Sequence, residues 1–401
     1  MKILLTDGNQ RSTLAATRSL GKVGYKVIVG EECFPNLSGV SKYCSDYFVY
    51  PSPYKNEQKY FKKIVNVIEE ESIDLVIPTT DISSAILTQN KNKMPVSVKI
   101  AVPDQETFWA ASDKNTLHHL AEGINIPTPT LYYIEDRKNL DEIQDKIEFP
   151  CILKPSRSSV YINQKWLKSS VIMVRDRTEF RDVVRNNEVY KKPFMIQKVV
   201  KGEGFGVFAL CDKGSIKAMF AHRRIREKPP WGGVSVLRES VPVNPQIRKY
   251  ATELLSTLNW HGIAMVEFKQ DAVCNKYYLM EINARLWGSL QLAIDAGVDF
   301  PVLLTKLYSG EEVPSNQEYR YGIRSRWLLG DIDHLLARLF KPLKTNGSVE
   351  PLWRFLLDFI KIRQKGMFYE IESLDDPRPS IYEIKMYIQY LSSNIYRRIT
   401  R

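Results

Sequence analysis

The chain has 401 residues, 44% hydrophobic and 26% charged, and its 57 Lys and Arg against 46 Asp and Glu give a net charge of +11. That apolar share can bury cores, which excludes global disorder, and the length suggests roughly two to three domains. No apolar run reaches the ~18 residues that would span a bilayer. The opening MKILLTDGNQ has no signal-peptide apolar region and no small-residue cleavage site, so a cytoplasmic location is expected.

Five widely spaced cysteines, Cys33, Cys44, Cys151, Cys211 and Cys274, form no CxxC and no Cys/His cluster. A disulfide framework and a zinc site are disfavoured. The charge is concentrated: residues 151–240 hold 19 Lys and Arg against 8 Asp and Glu. Such a field suits a polyanionic ligand, either a nucleoside triphosphate or a nucleic acid. The segment has no run of five basic residues, which favours a small anion in a pocket.

In chain order, Ile3–Thr6 reads as a strand, Arg11–Leu20 as a helix ending at Gly21 or Gly24, and Tyr25–Val29 as a strand. Phe61–Glu70 is a helix by its apolar spacing, and Leu75–Ile77 and Ile100–Val102 are short strands ended by prolines. This alternation predicts a parallel sheet covered by helices. No GxGxxG follows the first strand, so a dinucleotide site is disfavoured. Thr79-Thr80-Asp81 lies past a strand's carboxyl end, where such sheets bind ligands; the competing reading is a helix N-cap.

From about residue 106 the pattern changes. Asp113 can cap a helix that stops at Gly123. Strand-like segments follow at Cys151–Lys154, Val171–Val174, Met195–Val200, Val207–Cys211, Ile216–Ala221, Ile263–Gln270 and Tyr277–Asn283, an antiparallel α+β region. Leu290–Leu307 reads as one helix, and the chain beyond about 311 as mainly helical. Ser380 and Glu383 fit a capping box before Ile381, Ile384, Ile388, Leu391 and Ile395 on one helical face. Docking of that face on the body is expected, with a membrane-surface or oligomer contact as the alternative.

The sharpest chemistry lies in IAMVEFKQDAVCNKYYLMEINAR. With the hairpin centred on residue 274, Glu267 and Glu281 oppose each other, with Cβ atoms about 4.5–5.5 Å apart. Asn283 shares the face of Glu281, while Met280 and Ile282 share the other. Two opposed carboxylates repel unless protonated or bridged by a cation, and oxygen-only ligands suit Mg²⁺ better than zinc. The competing reading is a solvated polar face beside Lys269.

Lys154 ends an apolar strand before Pro155, placed to hold a phosphate, unless it is an exposed edge lysine. Lys114 sits in a helix's first turn, where an unpaired cation is disfavoured by the helix dipole, a hint of ligand-driven placement. Gln197-Lys198-Val199-Val200 precedes Gly202 and could offer backbone groups to an adenine edge. His222-Arg223-Arg224-Ile225-Arg226-Glu227-Lys228, then Pro229-Pro230-Trp231-Gly232-Gly233, suits a charged lid over a transferring phosphate, or else a solvated basic hairpin. Arg285, two residues past Asn283, would lie beside the metal cluster.

Taken in order, Asp113-Lys114, Ile152-Leu153-Lys154-Pro155, Gln197-Lys198-Val199-Val200-Lys201-Gly202, Glu267 and Glu281-Ile282-Asn283-Ala284-Arg285 resemble the ATP-grasp superfamily. The likeness is greatest to its carboxylate–amine ligases of the carbamoyl-phosphate-synthase-like branch, and covers about residues 1–310. The resemblance implies an ATP-grasp fold, mixing α/β and α+β parts. These are a pre-ATP-grasp parallel-sheet domain at 1–105, a lid subdomain at about 106–200, a catalytic subdomain at about 201–310 and a mainly helical C-terminal extension at 311–401. It implies that Lys114 and Lys154 hold phosphates, that Gln197, Lys198, Val199 and Val200 line the adenine, and that Glu203, or else Gly204, marks the ribose. By the same likeness Glu267, Glu281 and Asn283 bind Mg²⁺ (two ions, with Mn²⁺ as a substitute), while Arg285 and Arg223 or Arg224 contact phosphoryl or substrate oxygens. The loop SRSSVYINQKW after Lys154 lacks the family's glycines, so Ser156, Ser158 or Ser159 would touch phosphate instead.

The expected activity is ATP- and Mg²⁺-dependent joining of a small-molecule carboxylate to an amine through an acylphosphate. The alternatives are an ATP-grasp carboxylase or kinase and, from another class, a nucleic-acid-binding protein using the basic segment. No nucleic-acid partner is expected, because the basic residues are not interleaved with stacking aromatics. Homo-oligomerisation is left open.

Overall fold

A computed structural model describes the chain except residues 144, 164, 231–232, 316–317, 341–343, 346–347, 350–351, 361–363 and 400–401. The expected loop residues Trp231 and Gly232 therefore lie outside the described residues.

The first hundred residues build a five-stranded parallel sheet from β1 (Lys2–Leu5), α1 (Arg11–Lys22), β2 (Lys26–Glu31), β3 (Asp46–Val49), α2 (Glu57–Glu71), β4 (Leu75–Ile77), α3 (Asp81–Gln89) and β5 (Lys99–Ile100). The strand order is β3-β2-β1-β4-β5, so the order reverses beside β1, where open α/β sheets place ligands at the carboxyl ends of strands. Thr80 there accepts from Ser83 N as an N-cap, leaving Asp81 in the first turn of α3.

Helices α4 (Gln105–Ser112) and α5 (Lys114–Gly123) follow. Their apolar side chains, among them Phe108, Ala111, Leu117 and Ala121, pack into the core of the large central sheet. A smaller antiparallel sheet contains β6 (Thr130–Ile134), β7 (Cys151–Pro155), β10 (Ile172–Val174) and β11 (Phe194–Lys198), with α6 (Leu140–Ile143) and α7 (Arg177–Asn186) alongside. A separate hairpin, β8 (Ser159–Ile162) with β9 (Lys165–Lys168), rises from the loop after Lys154.

The central sheet has seven strands in the order β16-β15-β12-β13-β14-β17-β20. They are β12 (Gly204–Asp212), β13 (Ser215–Lys228), β14 (Val234–Ser240), β15 (Gly262–Gln270), β16 (Tyr277–Asn283), β17 (Arg324–Arg326) and β20 (Met367–Tyr369), with α8 (Pro245–Thr257) between β14 and β15. One face carries Phe208, Phe220 and Met265 into a core shared with Ile3 and Leu5 of the first sheet and with Trp287. That shared core fixes the first domain against the central sheet; each such side chain, fully buried, contributes roughly 1.5–3 kcal/mol.

Two expected elements differ. The Leu290–Leu307 helix is two helices, α9 (Leu290–Ala296) and α10 (Phe300–Ser309). Gly297 closes the first in a left-handed conformation at φ 116°, and Asp299 caps the second. The basic run His222–Lys228, expected as part of a charged lid or else as a basic hairpin, is strand: β13 continues through it, paired with β14.

The C-terminal region is mainly helical, with α11 (Leu328–Phe340), α12 (Leu352–Ile360) and α13 (Arg378–Ile399), and a small hairpin of β18 (Lys344–Thr345) and β19 (Ser348–Val349). It also supplies β17 and β20 to the central sheet, the latter pairing in parallel. The expected capping box is absent, since α13 begins before Ser380, whose hydroxyl instead donates to Ile371 O. The expected docking face is reversed as well: Ile381, Ile384 and Ile388 are exposed. The body instead holds the helix through Trp327 Nε1 donating to Glu383 and Tyr387 donating to Asp333. The side chains of Ile395, Arg397, Arg398 and Arg401 lie outside the described residues. No helix among the described residues is long and apolar enough to cross a membrane.

Asp295 on α9 yields a stability prediction. Gln291 Nε2 donates to its Oδ1 at 2.9 Å, but Oδ2 is buried with no hydrogen-bond partner. Burial pushes this carboxyl up from 3.8 to about 7, outweighing Gln291 and the cations Lys22, Arg320 and Arg18. The folded protein then keeps a proton that the unfolded chain loses, so stability falls as pH rises from the unfolded value to about 7. Asp295→Asn should stabilise the protein by about 1–2 kcal/mol at pH 8 and by little at pH 4. Urea unfolding at both pH values checks this; equal effects would overturn it.

Candidate functional site

Glu267 on β15 and Glu281 on β16 are direct cross-strand partners, as their spacing predicts. Past them the register slips: Phe268 faces Leu279, leaving Met280 as the extra residue of a β-bulge. The expected sharing of a face by Met280 and Ile282 fails for this reason; Ile282 is buried in the core while Met280 is half-buried. The Met280 carbonyl accepts from Lys154 Nζ at 2.9 Å and pairs with His118 Nε2 at 3.2 Å. His118 therefore carries its proton on Nε2, and its Nδ1 accepts from Thr130 Oγ at 2.7 Å. Burial, then the charges of Lys154 and Lys114, push its pKa down to about 3, so the ring is a neutral support. His118 sits one helical turn after Lys114 on α5, a spacing visible in the sequence but without meaning until β16 is placed beneath it.

Lys114 and Lys154 are both buried, and their ammonium groups lie 3.7 and 3.6 Å from the same oxygen of Glu281. Lys154 is thus no exposed edge lysine. Burial lowers its pKa, opposed by Glu281. Burial acts to raise Glu281, but Lys154, Lys114 and Arg285 outweigh it and hold the carboxyl down. Glu267 is instead raised, by burial first and against the pull of Arg224. Lys114 also reaches Ser158 Oγ at 3.3 Å.

Asn283 Nδ2 lies 3.4 Å from an oxygen of each glutamate, and its Oδ1 accepts from Arg285 at 3.1 Å. Arg285 also donates to Asp81 at 2.9 and 3.3 Å. It thereby ties the hairpin to the first domain, at the point where Thr79-Thr80-Asp81 had two readings. Thr80 caps the helix, and Asp81 lines the cleft beside the cluster.

The two neighbouring arginines of β13 separate. Arg224 donates to Glu267 at 2.8 Å and to Glu227 at 3.2 Å. Gly204 stands opposite it on β12, and the Arg224 side chain lies across that position. Arg223 is not brought to the cluster. Successive strand residues face opposite sides, and Arg223 pairs on the reverse face with Glu239 at 2.7 and 2.9 Å.

A cleft beside the cluster is lined by Asp81, Trp109, Lys114, Arg157, Trp166 and Asn283, among others. Arg157 stacks over Trp109 at 4.5 Å and pairs with Asp113 at 3.1 Å. The glycine-poor loop is the β8–β9 hairpin, which reaches the first domain through Trp166 Nε1 donating to Glu57 at 2.9 Å and through a 3.5 Å contact of Tyr54 with Ser159. Nothing in the sequence marked Arg157 or Trp166, because no local pattern says which loop meets the first domain.

At the expected hinge β11 ends at Lys198, two residues earlier than anticipated. The Gln197 side chain is buried toward Met195 and Thr130, Lys198 is exposed, Val199 is half-buried and Val200 buried. Gly202 follows because a Cβ there would overlap Gln270 O. Glu203 does not join the lysines; it is exposed and lines a different cavity, with Arg223.

Residues 190–330 match a family model described as "ATP-grasp in the biosynthetic pathway with Ter operon". The chain is 21% identical over 266 residues to the carbamoyl phosphate synthase large chain of Methanosarcina barkeri, covering 63% of this chain and 24% of that one. It is 29% identical over 104 residues to a D-alanine–D-alanine ligase of Marinomonas, covering 25% and 30% respectively. The chain thus spans about a quarter to a third of the length of these relatives. In fold it is similar to the biotin carboxylase of Campylobacter jejuni, with a TM-score of 0.63 at 15% identity over 80% of this chain and 74% of that one. It is equally similar to the N5-carboxyaminoimidazole synthetase of Staphylococcus aureus, at 0.63 and 14% over 84% and 85%. The segment matched by the family model contains the Glu267–Glu281 hairpin, and the likeness in fold covers about four fifths of the chain.

Proposed function

We propose that the protein is an ATP- and Mg²⁺-dependent ligase that joins a carboxylate to an amine through an acylphosphate. The observation that carries this reading is the opposed pair Glu267 and Glu281, with two buried lysines beside Glu281 and Arg285 linking the pair to Asp81.

The donor set fits Mg²⁺. Among the described residues no group of three His, Cys, Asp or Glu forms a closed metal cage. Two carboxylates and a carboxamide suit an ion that completes its shell with phosphate oxygens and water. Glu267, Glu281 and Asn283 would hold one or two such ions, which supply neutralisation of charge on the transferring phosphoryl group. Lys114 and Lys154 hold the phosphates, and residues 197–200 border the adenine. Arg224 fixes Glu267, Arg285 fixes Asn283 and Asp81, and both face the developing charge. A carboxylate oxygen of the acceptor attacks the γ-phosphorus and ADP leaves. The amine then attacks the carbonyl carbon, and phosphate leaves with that oxygen. The acceptor occupies the cleft between Asp81, Trp109 and the β8–β9 hairpin, and no side chain forms a covalent bond.

Screening for ADP release against pools of amino acids and sugar acids identifies the substrates. With the acceptor carboxylate labelled with oxygen-18, one labelled oxygen should appear in inorganic phosphate, and hydroxylamine in place of the amine should trap a hydroxamate. A stable phosphorylated product with unlabelled phosphate would make the protein a kinase. ADP release that needs bicarbonate and yields a carboxylated product would make it a carboxylase.

A further inference from the structure

A second cavity, of about 270 Å³, is lined by Glu203, Arg223, Arg224, Ile225, Arg226, Leu237, Arg324, Gln364 and Met367. Cross-strand register explains its make-up. Arg223 on β13, Glu239 on β14, Arg324 on β17 and Met367 on β20 are successive partners, so they stand in one row on one face. The row containing Glu281, Glu267, Gly206 and His222 is adjacent and so faces the other side. Arg223 and Arg324 therefore stand on the face opposite the carboxylate pair, while Arg224, which also lines the cavity, reaches Glu267; the C-terminal extension supplies Arg324, Gln364 and Met367 to the wall.

Its lining holds four arginines and one carboxylate, Glu203. Arg223 and Arg324 share one carboxylate, Glu239, at 2.7 and 2.8 Å. Both guanidinium groups remain more than a third exposed, and Gln364, a neutral group, lies 3.3 Å from Arg324. Arg224 and Arg226, which also line the cavity, are held by Glu267 with Glu227 and by Asp331 respectively. Planar guanidinium forks, each offering several donors, grip carboxylate and phosphate oxygens in bidentate fashion. The volume is near the ~300 Å³ lower end of small-ligand pockets. The lining residues include no aromatic side chain on which a base could stack.

We propose that this cavity is a binding site for a small multivalent oxyanion, gripped by Arg223 and Arg324 on the face opposite the carboxylate pair. The test is isothermal titration of the full chain, without nucleotide or metal, with pyrophosphate and with citrate, which distinguish a phosphate from a carboxylate ligand. At least one should bind saturably. Arg223→Gln and Arg324→Gln should each weaken binding about tenfold or more, the loss of one charge-assisted contact. Glu239→Gln should tighten it, because it removes the competing carboxylate. Lys154→Met, which disables the phosphate contacts on the other face, should leave it unchanged. The proposal fails if neither anion saturates, if the arginine variants bind like the parent protein, or if Lys154→Met abolishes binding. Binding of a single-stranded RNA with no response to either small anion would also overturn it, in favour of a nucleic-acid face.

Discussion

Glu281→Gln is expected to reduce ATP turnover by at least about 100- to 1000-fold, and Glu267→Gln by a similar factor. Each carboxylate faces the other across the hairpin, so each removal takes one full charge from the place where a divalent cation would sit. The two variants should differ in a second property. Glu281 is the shared partner of Lys114 and Lys154, so Glu281→Gln leaves two buried ammonium groups without their counter-charge and should also lower stability. Glu267 has Arg224 as its ion-pair partner, and Arg224 retains Glu227. Asn283→Ala should cost less activity, since water can replace a neutral ligand. Electron paramagnetic resonance of Mn²⁺ with nucleotide separates binding from turnover. Loss of the bound-ion signal in both glutamine variants supports the metal reading. Near-normal turnover in both would reduce the hairpin to a structural role.

The hairpin was legible in the sequence because a strand pair has a simple metric: residues equidistant from the turn meet, and alternate residues share a face. The same metric misplaced Met280, since a bulge adds a residue without any local signal. Strands rich in arginine were harder to read. Arg223 reads as part of a charged lid or a basic hairpin, and Arg324 falls in a region that reads as mainly helical, yet both lie in strands of one sheet, where Glu239 on the strand between them pairs with each. Glu239 is 16 residues from Arg223 and 85 from Arg324, so no short window contains the pairing. The amphipathic stripe of α13 misled for a related cause. Periodicity shows that a helix has an apolar face, but the body holds this helix by the polar groups of Glu383 and Tyr387 instead.

Glu370→Ala is expected to be the most destabilising single change in the C-terminal region. Glu370 directly follows β20 and is buried between Arg11 of α1 and Arg238 of β14, with which it forms two ion pairs. Arg238 and Glu370 are almost fully buried, and Arg11 stacks on Trp327 at 4.0 Å. Burial alone pushes Arg238 down, and Arg11 and Arg224 add to this. Removing the carboxylate therefore leaves two desolvated guanidinium groups repelling each other, a loss of about 3–5 kcal/mol. Urea unfolding should show a lower midpoint with an unchanged slope. The triple replacement Arg11→Met, Arg238→Met, Glu370→Leu supplies the contrast: it removes the charges together with their desolvation cost and should recover most of the loss. If instead the triple variant is as unstable as Glu370→Ala, the geometry of β20 rather than its charge holds the extension. If Glu370→Ala unfolds like the parent protein, β17 and β20 are joined to the sheet by their backbone ladder alone. The expected outcome makes the C-terminal region an integral part of the sheet that carries Glu267, because the charge needed to neutralise Arg238 comes from the far end of the chain.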